Sequence, residues 1–406
     1  MAVGVEHKAR VLRLQGALAL LRHVHLHPGA TRAELTRALG LSSGSAAEIS
    51  ARLKAASLVE ERQAPPTGGR GRPSPALGPH PDGPLVCAVD LRHEDWHLAV
   101  AELGGAVVDA RGDRYRPRLP DRVIAAIGQE VAAAARRHGD RVQAVSVSVA
   151  GTIQDGRVMQ MSTLGWRDVG LDPLRLGPDV PLLVGNDASL GGLAEARRGA
   201  GAGVGSVLHL TVEVGVGGVL VVGGQVMTGA TGAGGEFGHM PFGDPSRACP
   251  CGASGCWDLE VDGRAMARLL GRPPPADPRT LADQVVAAAG AGDAAARAAV
   301  GTAAGAFGRG VAALVNALDP DVVTLSGLAS SLVAVAPAEL EAAYQAGLMR
   351  FRRADPPPLL ASTIGAGSAL VGAAEVGFDA VLTEAGLDRW ARRGAGDARQ
   401  AGPASG

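Results

Sequence analysis

Apolar residues recur at helical spacing from the start of the chain, with short breaks between the periods. An apolar residue every three or four positions predicts a helix over residues 10–27, and Pro28-Gly29 ends it. Thr31 and Glu34 form a capping-box sequence, which predicts a second, shorter helix that stops at Gly40. The pattern therefore predicts two helices joined by a tight turn.

A third helix is predicted in LSSGSAAEISARLKAASLVEE, where Ser42 or Ser43 can cap the first turn. Its apolar face contains Ala46, Ile49 and Leu53. Helix, Gly turn, helix is the arrangement that places a third helix in the DNA major groove. The residues expected to be exposed on it as DNA contacts are Ser43, Ser45, Ala47, Ser50 and Arg52. Glu48 and the scarcity of long side chains weaken the case for base reading.

After this helix in the sequence, Leu58-Val59-Glu60 predicts a short strand, and PPTGGRGRP predicts a wing. Arg70 and Arg72 alternate with glycines, which suits contact with phosphates or a narrow minor groove. A disordered Pro/Gly linker is the alternative for this stretch. For the three helices, the alternative is a protein-interaction module.

The remaining chain alternates between strands and helices in an order that occurs twice. Strands are predicted at 85–90, 97–102 and 106–111, followed by a helix over about 121–138 and a strand at 142–150. The order recurs in SVLHLTV, VLVV and QVMT, then helices, then DVVTLSG. Such a duplication predicts two similar α/β lobes with a ligand cleft between them. The tail RWARRGAGDARQAGPASG has no apolar period and is expected to be disordered.

Charge separates the two parts of the chain. Residues 1–75 contain 11 Lys+Arg and 5 Asp+Glu, a net of +6, which leaves 28 against 35, a net of −7, for residues 76–406. A basic head on an acidic body favours DNA over protein as the partner of the head. The length of 406 residues predicts two or three domains. No apolar run is long enough to span a membrane and no signal peptide is recognised, so we expect a cytoplasmic protein.

Three of the four cysteines lie close to one histidine in GHMPFGDPSRACPCGASGCWD. His239, Cys249, Cys251 and Cys256 supply one imidazole and three thiolates, the closed set that structural Zn²⁺ prefers. A chance grouping of free cysteines with a surface histidine is the alternative. Because four protein ligands leave no open position, the ion would fix the loop and would not perform chemistry.

Several of these motifs together resemble the ROK family of repressors, uncharacterised reading frames and sugar kinases. The motifs are GEFGH at 235–239, CPCGASGCWD at 249–258, GNDA at 185–188 and LTVEVGVGG at 210–218. The resemblance implies an α/β fold with a two-lobed, actin-like ATPase body and a zinc-binding loop, behind a winged helix-turn-helix. It also implies a hexose or aminosugar in the cleft.

The resemblance assigns a sugar site residue by residue. Asp187 corresponds to the kinase base, beside Asn186, and Glu236 and His239 correspond to a sugar-binding glutamate and the zinc histidine. Asp258 stands where the family has a glutamate, Ala150-Gly151 where it has Pro-Gly, and Thr163 where it has an asparagine. The expected ligand contacts are Gly151, Thr163, Asn186, Asp187, Glu236, His239 and Asp258. From the residues alone, Asn186-Asp187 could equally be a helix cap.

The phosphate loops depart further from the family pattern. Asp90-Leu91-Arg92-His93-Glu94 replaces Asp-x-Gly-Gly-Thr, Glu213-Val214-Gly215 replaces Gly-Thr-Gly, and Ser326-Gly327-Leu328 replaces a Gly pair. Glycines let backbone N–H groups approach phosphate, whereas the carboxylate of Glu213 repels it. Arg92 offsets part of that charge. The sequence therefore predicts that ATP does not bind.

These inferences predict a transcriptional regulator, a repressor that binds operator DNA as a homodimer or higher oligomer and responds to a sugar or sugar derivative. A sugar kinase with an accessory head is the alternative, and a sugar sensor whose head binds protein is a third possibility. The predicted domains are 1–75 (head), 84–187 with 365–385 (smaller lobe), 188–364 (larger lobe with zinc site and dimer surface) and 386–406 (disordered tail).

Overall fold

The computed structural model describes residues 2–63, 75–92, 94–115, 119–161, 164–230, 232 and 234–400, with side chains from residue 14 to residue 393 within those ranges. The chain divides into two compact units. Unit 1 comprises Met1–Gly185 with Ala373–Gly406, and unit 2 comprises Asn186–Gly372. The division predicted from the sequence, into a head, two lobes and a tail, remains a proposal.

The helices are α1 (Ala2–Leu26), α2 (Arg32–Leu39), α3 (Ser43–Ala55), α4 (Pro120–His138), α5 (Asp187–Arg198), α6 (Asp258–Val261), α7 (Gly263–Leu269), α8 (Pro278–Gly290), α9 (Ala294–Leu318), α10 (Leu328–Val335), α11 (Pro337–Gly347), α12 (Ser368–Val381) and α13 (Glu384–Gln400). The strands are β1 (Val59–Arg62), β2 (Ala76–Pro79), β3 (Leu85–Leu91), β4 (Asp95–Glu102), β5 (Val107–Arg114), β6 (Val142–Val149), β7 (Thr152–Gln154), β8 (Arg157–Met161), β9 (Trp166–Val169), β10 (Leu182–Asn186), β11 (Ser206–Glu213), β12 (Gly215–Val222), β13 (Gln225–Val226), β14 (Val322–Gly327) and β15 (Leu359–Ala361).

Helices α1 to α3 and the antiparallel β1–β2 hairpin form the head. The capping box is present, since the Thr31 hydroxyl accepts from the Glu34 amide and the Glu34 carboxylate accepts from the Thr31 amide. Gly40 ends α2 in the left-handed region, at φ 62°, where a side chain is disfavoured. Ser42 caps α3 by accepting from the Ser45 amide. Arg70 and Arg72, the expected wing arginines, lie outside the described residues.

The main sheet of unit 1 has the order β10-β6-β3-β4-β5. Strands β3, β4 and β5 form an antiparallel meander, and β6 returns parallel to β3 after α4. Burial of one face of α4, including Ile127 and Val131, closes the core against this sheet. A small sheet of β7, β8 and β9 was not predicted from the sequence, because its strands are short and lack a clear alternation.

The sheet of unit 2 repeats this order as β13-β12-β11-β14-β15. Strand β12 runs antiparallel to β11, and β14 returns parallel to β11 after four helices. Helix α9 crosses the core, where Trp257 stacks on Phe307 with ring centroids 5.4 Å apart. The predicted duplication is therefore confirmed at the level of strand order.

The expectation of a disordered tail over 386–406 is wrong for residues 386–400, which lie in α13 (Glu384–Gln400). Trp390 is buried, and its indole N–H donates to the carbonyl of Ala56 at 2.7 Å. Apolar periodicity does not predict α13, because a single buried aromatic residue produces no periodic pattern. Residues 401–406 lie outside the described residues.

Helix α9 is long and apolar enough to cross a membrane by length and composition, but 67% of its most apolar stretch is buried. The pair α12–α13 also meets that test only jointly, with a bend of 80° between the helices. Buried core helices of this composition are expected in a large α/β protein.

Candidate functional site

The start of α5 carries the first pair of predicted ligand residues. Asn186 has extended backbone angles (φ −70°, ψ 142°), and its Oδ1 accepts from the Ser189 amide at 3.1 Å. Asn186 is therefore the helix cap that the sequence allowed as an alternative. Asp187 accepts from the Ala188 amide through Oδ1 at 2.9 Å. As an acceptor at the end of a strand, a carboxylate in this position suits a hydroxyl ligand.

The predicted metal ligands converge. One ligand atom from each of His239, Cys249, Cys251 and Cys256 lies within 4.8 Å of every other. The His239 Nδ1 is 3.9 Å from the Cys249 sulfur, and the Cys251 and Cys256 sulfurs are 3.6 Å apart. Thiolates about 2.3 Å from a tetrahedral zinc lie about 3.8 Å from each other, so the spacing fits such an ion.

A short backbone framework holds these ligands. Ala253 accepts from the Cys249 amide at 2.8 Å, and Gly252 follows at φ 98°, a left-handed angle that glycine adopts without strain. Burial and the neighbouring sulfurs raise the pKa of the Cys256 thiol to about 12. A bound cation favours the thiolate and would reverse that shift. The residues present therefore fit a metal ion.

Two carboxylates flank His239. Its Nε2 is 3.9 Å from Glu236 Oε2, and its Nδ1 is 3.7 Å from Asp258 Oδ2. Glu236 is exposed, whereas Asp258 is largely buried, and this burial raises the pKa of the Asp258 carboxyl. Asp258 Oδ1 accepts from the Val216 amide at 2.6 Å. Asp258 thus ties the metal loop to the first residues of β12.

The turn between β11 and β12 contains Glu213-Val214-Gly215, the segment that was matched to the second phosphate loop of the family. Glu213 forms an ion pair with Arg279 in the first turn of α8, and Arg279 also lies 3.2 Å from Asp283. A methyl group on Gly327, the last residue of β14 at φ 61°, would lie 2.6 Å from Glu213 Oε1. The carboxylate therefore lies against the backbone at the end of β14. Sequence reasoning missed Arg279, since nothing local connects it with a residue 66 positions earlier.

Three of the predicted loop and ligand positions belong to unit 1. Asp90, near the end of β3, is buried and accepts from the Arg92 Nε at 2.6 Å, so the segment matched to the first phosphate loop also contains an ion pair. Gly151 lies in a tight turn where a methyl group would come within 2.4 Å of the Gln160 carbonyl oxygen. Thr163 lies outside the described residues.

On α3, Ser43, Ser45 and Arg52 are exposed and Ala47 is half-buried. Ser50 was expected to be exposed, but it is 1% exposed, and its hydroxyl donates to the Ala46 carbonyl. The prediction placed Ser50 on the wrong face of α3, because Ser50 lies one helical turn after Ala46 and therefore on the same inner face. Arg52 forms an ion pair with Glu48 at 3.0 Å. Among the predicted DNA contacts that the structure describes, Arg52 is the one long basic side chain, so that side chain is already paired within α3.

Three comparisons with known proteins are informative. A putative xylose repressor of Caldicellulosiruptor sp. (strain Rt8B.4) is 26% identical over 344 residues, 77% of this chain and 83% of the relative. A glucokinase of Streptomyces coelicolor is 30% identical over 176 residues, 41% of this chain and 55% of the relative, so the chain spans only about half of that kinase. A solved ROK-family transcriptional regulator, described as a homologue of the E. coli Mlc protein, has a TM-score of 0.75 at 22% identity, with 93% of this chain and 99% of that chain covered.

The last similarity shows the fold alone, an actin-like α/β body behind a helical N-terminal region. A sequence profile described as "ROK family" matches residues 86–378, well over half of the chain. The chain belongs to the ROK family.

Proposed function

We propose that this chain is a sugar-responsive transcriptional regulator, a repressor that binds operator DNA. The observation that carries the proposal is the head, where three helices and a β-hairpin precede a ROK body. Its net charge of +6 over residues 1–75 suits DNA. The similarity to a putative xylose repressor over 77% of the chain supports the same conclusion.

The effector is a sugar or sugar derivative bound near the metal loop. Glu236, Asp187 and Asp258 supply carboxylate acceptors for hydroxyls. A Zn²⁺ ion held by His239, Cys249, Cys251 and Cys256 fixes Glu236 and Asp258 relative to each other. Four protein ligands leave that ion no open position, so its role is structural.

ATP is not a substrate in this proposal. Glu213 pairs with Arg279, and Asp90 pairs with Arg92, at the two loops that would hold phosphates. An unpaired carboxylate about 4 Å from a phosphate charge costs about 4 kcal/mol at an effective dielectric near 20, or about a thousandfold in affinity, and the paired arginine offsets part of that cost.

A sugar kinase is the second candidate, favoured by the 30% identity to a glucokinase and by the presence of Asp187 at the base position. Incubation with ATP and a panel of hexoses, pentoses and aminosugars separates the two functions. We expect no turnover above that of Asp187→Ala. Sugar phosphorylation by the wild type that disappears in Asp187→Ala would establish the kinase.

DNA binding follows from the same proposal and has its own test. A homodimer in the cytoplasm reads two half-sites about one helical turn, or a multiple of it, apart. Binding to the DNA upstream of its own gene should weaken steeply with salt, because basic residues displace counterions. Charge reversal at Arg70 and Arg72 should weaken binding further. Undiminished binding by that variant would exclude the wing as a DNA contact. No DNA binding by the wild type would favour a head that binds protein.

A further inference from the structure

The end of α1 is anchored in unit 1 by a buried histidine. His25 is 3% exposed and Glu375, on α12, is 1% exposed, and the His25 Nε2 lies 3.2 Å from Glu375 Oε1. The imidazole also packs on Phe378, with ring centroids 4.5 Å apart. An ionisable pair buried this deeply is stable only when both members are well bonded.

Backbone geometry fixes the tautomer of His25. The Gly104 amide, in the turn between β4 and β5, donates to the His25 Nδ1 at 3.0 Å. Because Nδ1 accepts a hydrogen bond, the ring proton is on Nε2, and Nε2–H donates to the Glu375 carboxylate. The ring therefore joins three elements: the head helix α1, the β4–β5 turn and α12.

The C-terminal helices contact the head at two more points. The Arg22 guanidinium donates to the Leu382 carbonyl at 3.0 Å, immediately after α12. The Trp390 indole on α13 donates to the carbonyl of Ala56, the residue that caps α3. The helix predicted to enter the DNA groove is thus held at its C-terminal end by the last helix of the chain.

We infer that His25 and Glu375 are positioning residues that set the orientation of the DNA-binding head within unit 1. This role rests on the DNA-binding function proposed above.

The test uses Glu375→Ala in the full-length protein, with Glu384→Ala as the matched control on an exposed position of α13. DNA upstream of its own gene is titrated with each variant. Glu375→Ala should weaken DNA binding about tenfold or more, the equivalent of one hydrogen bond to a charged group. Its metal content should stay unchanged.

A conservative variant separates positioning from loss of fold. Glu375→Gln keeps an acceptor for the His25 Nε2–H and should stay within about threefold of the wild type in DNA affinity. Trp390→Phe keeps the ring but removes the bond to Ala56, and should weaken DNA binding by about threefold to tenfold, the range of one net hydrogen bond.

Amide hydrogen exchange tests the inference in the absence of DNA and sugar. Amide protons of α1 and α3 and the Gly104 amide should exchange faster in Glu375→Ala than in Glu384→Ala, and ¹⁵N shifts of the wild-type His25 should show the Nε2–H tautomer. Unchanged exchange, or an Nδ1–H tautomer, overturns the inference. If the wild type binds no DNA, the proposed function fails, but the exchange comparison still tests the anchoring of the head.

Discussion

Among individual residues, Asp187 is the proposed sugar contact at the first position of α5. One oxygen accepts from the Ala188 amide at the first turn of α5. Its carboxylate remains a charged acceptor for a hydroxyl, and hydrogen bonds to charged groups are stronger than neutral ones.

Substituting Asp187→Asn should lower the affinity for an effector sugar by about tenfold to a hundredfold, because the amide retains an acceptor but loses the charge. Calorimetric titration with D-xylose and D-glucose measures this, and Glu341→Gln, an exposed site on α11, is the control. Equal affinities for wild type and Asp187→Asn would remove Asp187 from the site.

Residue-level prediction from sequence succeeded where the partners are local. His239, Cys249, Cys251 and Cys256 converge because 17 positions of Gly-rich chain bring them together. Arg279 could not be predicted as the partner of Glu213, because only the tertiary fold brings α8 to that turn. Ser50 was predicted on the exposed face of α3 but is buried, because apolar periodicity alone does not fix where the buried face of a helix ends.

Two elements of unit 2 are joined by a buried histidine. His209 on β11 lies 2.9 Å from the Thr324 hydroxyl through Nδ1, and 3.1 Å from the Ser326 hydroxyl through Nε2, both on β14. Burial lowers the pKa of His209 to about 4, against a small opposing effect of Glu195. The neutral ring therefore contributes to the parallel β11–β14 pair.

This shift predicts a pH dependence of stability. As pH falls from 6.5 to 4 the unfolded chain binds a proton that the folded chain does not, so the free energy of unfolding should decrease by about 3 kcal/mol. Denaturation of His209→Gln should show a flatter acid limb than that of the wild type over this window, with exposed His27→Gln as control. Parallel limbs for wild type and His209→Gln would contradict the buried neutral ring.

The metal loop is the second element with a direct test. Cys256→Ala should lose bound zinc, measured by elemental analysis, because three remaining ligands do not close a tetrahedral site. Cys87→Ala removes a cysteine from the unit 1 core and should retain the metal. Since the proposed ion would hold Glu236 and Asp258 in place, Cys256→Ala should also lose sugar binding. Full zinc occupancy in Cys256→Ala would contradict the assigned ligand set.

The elements predicted best were those with complete local signals. Helix α2 has a capping box and a terminal glycine, and its bounds follow from them. Helix α13 was mistaken for a disordered tail because its order depends on Trp390 reaching a carbonyl 334 positions earlier. The small β7–β9 sheet was missed for the same reason, since short strands are defined by their pairing and not by their own composition.

For the whole molecule, the repeated strand order of the two main sheets places the chain in an actin-like fold. The two sheets differ in what surrounds them, since unit 1 also contains the head and unit 2 contains the metal cluster. Family membership leaves regulator and kinase open, and the ion pairs at Glu213 and Asp90 favour the regulator.

The proposed operator reading predicts a homodimer. Sedimentation should give about twice the chain mass of 40.8 kDa at micromolar concentration, because one head makes too few contacts for specific binding. A strictly monomeric species that still binds operator DNA with high affinity would contradict the two-fold arrangement.

The central claim is that sugar binding changes the affinity of this chain for DNA. Fluorescence anisotropy of labelled DNA from upstream of its own gene, titrated with the full-length protein at fixed salt in a panel of sugars, measures it directly. We expect salt-dependent binding whose Kd changes at least about fivefold with one sugar, the scale of a coupling of about 1 kcal/mol. The same Kd with every sugar, or no binding to that DNA, would contradict the claim.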